Sequence, residues 1–109
     1  MNLSSTIQQK NIRVSLVITT YNSPIFLELV LKSVLKQRVF PSEVVIADDG
    51  STDETRLLID NYRKSFPVPL VHSWIPDRGF RVAKARNAAI AKAQGDYIIL
   101  IDGDMLLTP

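Results

Sequence analysis

Short β-branched runs alternate with longer segments of helical spacing along this 109-residue chain. That alternation constrains the fold more than any other feature. Val14 to Thr19, Glu43 to Ala47, Leu70 to Trp74 and Tyr97 to Ile101 have the length and composition of strands. Helical spacing between them is the sequence form of a parallel sheet covered by crossover helices, an α/β architecture with helices on both faces.

The connections carry their own punctuation. Ser23-Pro24 offers an N-cap followed by proline at the first helical position. Leu27, Val30, Leu31, Val34 and Leu35 then form one apolar stripe, in a helix predicted to end near Arg38. Ser51, followed three residues later by Glu54, has the spacing of a capping box, and the helix it opens turns Leu57, Leu58 and Tyr62 inward. Val82 to Gln94 is alanine-rich, so that helix can lie close against the sheet, with Gly95 ending it in the left-handed conformation. Tyr97 to Ile101 is apolar on both faces.

Size and composition narrow the function. A chain of this length with 46% hydrophobic content makes one domain with a real core, preceded by a polar tail over 1–12. The absence of cysteine rules out disulfides and thiolate metal sites. With His72 the single histidine, a zinc centre is disfavoured and any metal would be held by oxygen. A net charge of +2 does not call for a nucleic-acid partner. No signal peptide and no run near the roughly 18 apolar residues of a membrane span is present, so a soluble cytoplasmic chain is expected.

Three strand ends are polar or acidic: Thr19-Thr20-Tyr21-Asn22, Asp48-Asp49-Gly50-Ser51 and Asp102-Gly103-Asp104. In an open parallel sheet those ends share one edge, where ligands bind. Asp49 suits either the imide proton of a uracil ring, with Tyr21 bordering that ring, or a plain capped turn. Asp102 and Asp104 would repel each other unless a cation or solvent separated them. Such a pair suits Mg²⁺ or Mn²⁺ completed by substrate phosphates, against the alternative of an exposed acidic turn. Met105, Leu106 and Leu107 argue against an EF-hand. Arg78, Arg81, Lys84 and Arg86 gather near the start of the third helix, to meet a diphosphate or simply to face solvent. His72 reads as a packed or surface residue, and Trp74 as packing.

Taken in order, Val14 to Asn22, Ala47 to Asp53, Ala85-Arg86-Asn87 and Asp102-Gly103-Asp104 resemble glycosyltransferase family 2, with its GT-A fold. The resemblance begins near Arg13, and Asp77-Arg78-Gly79-Phe80-Arg81 looks most like the bacterial polysaccharide and chondroitin-polymerase branch. It implies a nucleoside-diphosphate sugar donor, usually a UDP-sugar, and a saccharide acceptor, with inversion at the anomeric carbon. Thr19, Tyr21 and Asp49 would surround the uracil, Asp48 would support that strand end, and Arg81 and Arg86 would lie on the donor side. Asp102 would meet the ribose or sugar, and Asp104 the metal, Mn²⁺ or Mg²⁺.

In proteins of this kind the general base lies downstream of the acidic motif, where this sequence has only Met105 to Pro109. The chain is therefore read as the donor-binding part of a catalytic domain over 13–109, ending after its fourth strand and transferring sugar poorly or not at all alone. A bare sheet edge predicts self-association, and the full-length protein would be cytoplasmic or peripheral at the inner membrane. Three rival readings compete with this one. A receiver-type phosphoacceptor domain needs an acidic pair after the first strand. A dinucleotide-binding domain needs a Gly-x-Gly-x-x-Gly turn where Asn22-Ser23-Pro24 stands. A non-catalytic scaffold remains compatible with these residues.

Overall fold

Parallel pairing organises the computed structural model, which describes residues 12–103. Strands β1 (Val14–Thr20), β2 (Glu43–Asp48), β3 (Leu70–Trp74) and β4 (Tyr97–Asp102) alternate with helices α1 (Pro24–Leu35), α2 (Asp53–Arg63) and α3 (Val82–Lys92). The sheet order is β3-β2-β1-β4, with every neighbouring pair parallel. This is the predicted α/β class. β1, β2 and β4 each run one residue further than the sequence reading placed them, because the ladder continues through Thr20 opposite Asp48 and Thr19 opposite Asp102.

Two apolar layers hold the sheet. On one face α1 and α2 cover Leu16, Ile18, Val44, Ile46 and Ile101, using Leu27, Val30, Leu31, Val34 and Ile59. On the other, α3 sets Ala85 and Ala89 against Val17, Val45 and Ala47. Small side chains there let the α3 backbone approach the sheet closely. β4 is an edge strand that α3 does not cover, so Tyr97, Ile98 and Leu100 stay exposed despite the apolar run.

Several local expectations are corrected. Helix α1 ends at Leu35, since the amides of Lys36 and Gln37 bond to Ser33 and Val34 in tightened i to i−3 contacts. Leu35 itself is exposed. Leu57 is 58% exposed, because the inward stripe of α2 runs through Thr55, Ile59 and the flanking Leu58 and Tyr62. The capping box does not form: Thr52 is the N-cap of α2, and the Ser51 hydroxyl accepts from the Asn22 amide of the loop after β1. Gly95 is not left-handed, the positive-φ glycines among the described residues being Gly50 and Gly79. It is a close-approach position, where a Cβ would fall on Ser15 Oγ at 2.6 Å.

Tyr62 on α2 donates to Glu28 Oε2 on α1 at 2.8 Å. Burial first, then this bond and the charge of Glu28, push the phenol up to about 12 from 10.0. The folded state thus holds that proton more tightly than the unfolded chain does. The contribution is complete below pH 10.0 and fades as pH rises toward about 12. Unfolding free energy should therefore fall across that window in urea titrations, and fall less in Tyr62→Phe. Ala89→Leu should cost about 1–3 kcal/mol by overpacking α3 against the sheet, read from the same unfolding curves.

Candidate functional site

The carboxyl ends of β1, β2 and β4 meet along one edge, as their parallel directions require. β2 and β4 flank β1, so their ends stand about 9–10 Å apart across it. A cleft of about 470 Å³ opens there, walled by Thr19, Thr20 and Tyr21 from β1 and its loop, by Asp49 after β2, by Arg86 on α3, and by Asp102 closing β4. Topology thereby gathers Thr19, Tyr21, Asp49, Arg86 and Asp102 into one place.

Asp48 and Asp49 are adjacent in sequence and part company in space. Asp48 is fully buried, its Oδ1 accepting from the Ser51 amide at 2.8 Å and its Oδ2 lying 2.7 Å from His72 Nε2. It supports the turn from behind and does not wall the cleft. Asp49 Oδ2 accepts from the Arg81 amide at 2.7 Å. Its Oδ1 is buried with no hydrogen-bond partner among the described residues, and so is the hydroxyl of Thr20 beside it. An acceptor removed from water and left unpaired costs about 1–3 kcal/mol, which a ligand donor would recover.

The turn itself is clasped to the loop after β1. Asn22, at φ 44°, donates its amide to Ser51 Oγ at 2.8 Å, and its Oδ1 accepts from the Thr52 amide at 2.8 Å. Ser23 is the N-cap of α1, with its hydroxyl donating to the Tyr21 carbonyl at 2.9 Å. Trp74 adds its indole N–H to the Ser51 carbonyl at 3.0 Å. His72 is thus a largely buried residue of the strand end, as expected, whereas Trp74 is 48% exposed and belongs to neither apolar layer, holding to the strand end through its indole bond.

Asp102 is 63% exposed by side chain. Its Oδ1 accepts from the Thr19 hydroxyl at 3.3 Å and lies 3.8 Å from Arg86 Nη2. Oδ2 makes no hydrogen bond among the described residues. Asp104 lies outside those residues, and within them no group of three or more His, Cys, Asp or Glu side chains could hold a metal. Asp102 thus offers one exposed carboxylate, of the kind through which a hard Mg²⁺ or Mn²⁺ ion binds together with substrate phosphates, with the Arg86 guanidinium 3.8 Å from its Oδ1.

The cationic cluster does not converge as a unit. Arg86 walls the cleft, whereas Arg78 and Lys84 are exposed away from it. Arg81 works through its backbone: its amide holds Asp49, while its Nη2 donates to the Pro76 carbonyl at 3.1 Å and its Nε is buried without a partner. Sequence reasoning missed Phe26 and Phe80, which also line the cleft. Phe80, 91% exposed in a polar loop, is the kind of misplaced aromatic that could have signalled it.

A parallel α/β sheet with a cleft at its strand ends defines a class of ligand-binding fold, here of GT-A form. The chain belongs to glycosyl transferase family 2, whose family model matches residues 15–109. Chondroitin synthase from Pasteurella multocida is 31% identical over 97 residues, 88% of this chain and 10% of that protein. The crystal structure of S. aureus TarS 1-349 in complex with UDP superposes with a TM-score of 0.73 at 34% identity, covering 84% of this chain and 27% of that one. The mannosyltransferase PcManGT from Pyrobaculum calidifontis, in complex with GDP-Man and Mn²⁺, gives 0.74 at 30% identity, over 87% and 28%. This chain thus spans about a tenth of the length of the chondroitin synthase. Among the described residues, no helix is long and apolar enough to cross a membrane.

Asp48 should behave as a structural residue. Asp48→Ala strands the Ser51 amide and His72, each costing about 1–3 kcal/mol, and thermal unfolding should record the loss.

Proposed function

We propose that this chain binds a nucleoside-diphosphate sugar, a UDP-sugar foremost, for inverting transfer of the sugar to a saccharide acceptor in polysaccharide or glycoconjugate synthesis. The observation that carries this reading is the unpaired Asp49 Oδ1 on one side of β1, with the exposed carboxylate of Asp102 on the other. The relatives named above support it, one solved with UDP and another with GDP-Man and Mn²⁺.

Each residue then has a chemical task. Asp49 accepts the imide N–H of the base, and Tyr21 borders the ring. Thr19 orients Asp102 through its hydroxyl bond. Arg86, already 3.8 Å from Asp102, presents a guanidinium to the diphosphate and spreads its charge. Asp102, joined by Asp104, would hold a divalent ion, which when bound offsets the negative charge of the leaving diphosphate.

In the transfer itself an acceptor oxygen forms a bond to the anomeric carbon while the bond from that carbon to the phosphate oxygen breaks. The electron pair leaves with the diphosphate, and the acceptor hydroxyl gives its proton to a general base. None of the residues placed in the cleft is assigned that last role.

Calorimetric titration of the chain with UDP and with GDP, each with and without Mn²⁺, tests the reading. UDP should bind, more tightly with the metal, and more tightly than GDP. Asp49→Asn should weaken UDP by about ten-fold, the scale of a lost charged hydrogen bond. Asp102→Asn should remove the metal dependence. No UDP binding under either condition would overturn the proposal.

A further inference from the structure

Tyr21 stands at the base-binding end of the cleft with nearly half its surface exposed. Little packing restrains its ring. One contact does: its hydroxyl donates to Asp77 Oδ2 at 2.9 Å. Asp77 belongs to the connection between β3 and α3, far away in sequence and without a role so far.

The path of that connection is fixed by the turn after β2. At its start the Ile75 amide bonds to the Asp48 carbonyl at 3.0 Å, and at its end the Arg81 amide bonds to Asp49 Oδ2 at 2.7 Å. Between these anchors the backbone of Asp77 crosses directly over Gly50, its N and Cα occupying the space that a Cβ would take. Gly50 also has φ +91°, so glycine is required there twice over. Asp77 itself is exposed, with its Oδ1 accepting weakly from the Gly79 amide at 3.4 Å. Its other oxygen is turned to Tyr21.

We propose that Asp77 is a positioning residue for nucleotide recognition: seated over Gly50, it fixes the Tyr21 ring as a wall of the base-binding end without touching the ligand. This rests on the nucleotide reading given above. A tyrosine ring has two side-chain torsions, and a bond at its far end removes that freedom before the ligand arrives. A stacked or bordering base then meets a wall already in place. The phenol of Tyr21 ionises above its ordinary 10.0, chiefly because it donates to Asp77 and faces that residue's charge. The charge of Asp49 acts the same way, and the side chain of Asn22 opposes them.

The test uses the full chain, titrated with UDP and with pyrophosphate in Mn²⁺, for wild type, Asp77→Ala, Asp77→Asn, Tyr21→Phe and the double variant Asp77→Ala with Tyr21→Phe. Asp77→Ala and Tyr21→Phe should each weaken UDP about three- to ten-fold and leave pyrophosphate unchanged. Asp77→Asn should stay within about two-fold of wild type, since an amide oxygen also accepts. The double variant should lose no more than either single one. Independently, ¹³C-labelled tyrosine should show the Tyr21 ionisation moving down toward its ordinary value in Asp77→Ala. Additive losses, unchanged UDP affinity in Asp77→Ala, or an equal loss for pyrophosphate would overturn the proposal. Should wild type bind no UDP, the nucleotide reading fails. The tyrosine titration then decides whether Asp77 holds Tyr21, and an unmoved signal refutes that too.

Discussion

Everything at the cleft depends on β1 pairing in parallel on both sides. Its seven residues are all buried, and its ladder fixes Thr20 against Asp48 and Thr19 against Asp102. Two sequence-distant acidic segments are brought level by that ladder. A one-residue slip in either register would send each strand's side chains to the opposite face. The apolar layers penalise such a slip, since Leu16 and Ile18 face α1 while Val17 faces α3. Burial thus specifies the alignment that the site uses.

Above the sheet, the loops are organised by small polar residues. Asn22, Ser51 and Thr52 clasp the β1 and β2 turns together, and Asp48 supports the same turn from below. The connection after β3 is anchored on that turn at both ends. Rigid elements therefore carry the site from beneath, and hydrogen bonds among the loops give it shape.

Most of this was legible in the amino-acid order where the signal was periodic. Strands and helices declare themselves by spacing, and the strand-end rule brings Thr19, Thr20, Tyr21, Asp49 and Asp102 together from the order of residues alone. What failed depended on which partner a polar group chose. Ser51 had the spacing of a helix cap, yet Asn22 claimed its hydroxyl. Gly95 had the position of a helix stop, yet the closeness of Ser15 explains it. Phe80 gave no periodic signal at all, because its place at the cleft follows from which loops converge. Asp104 and the tail before residue 12 lie outside the described residues.

The division between Asp48 and Asp49 has a consequence for how such a chain can diverge. One carboxylate is spent inward on the turn, and the neighbouring one outward on whatever enters the cleft. Asp48 thereby serves the fold alone, while Asp49 divides its two oxygens between the Arg81 amide and the cleft. Exchanging the second aspartate would therefore release one anchor of the connection after β3 as well as removing the unpaired acceptor from the cleft, whereas exchanging the first would strike the turn and His72.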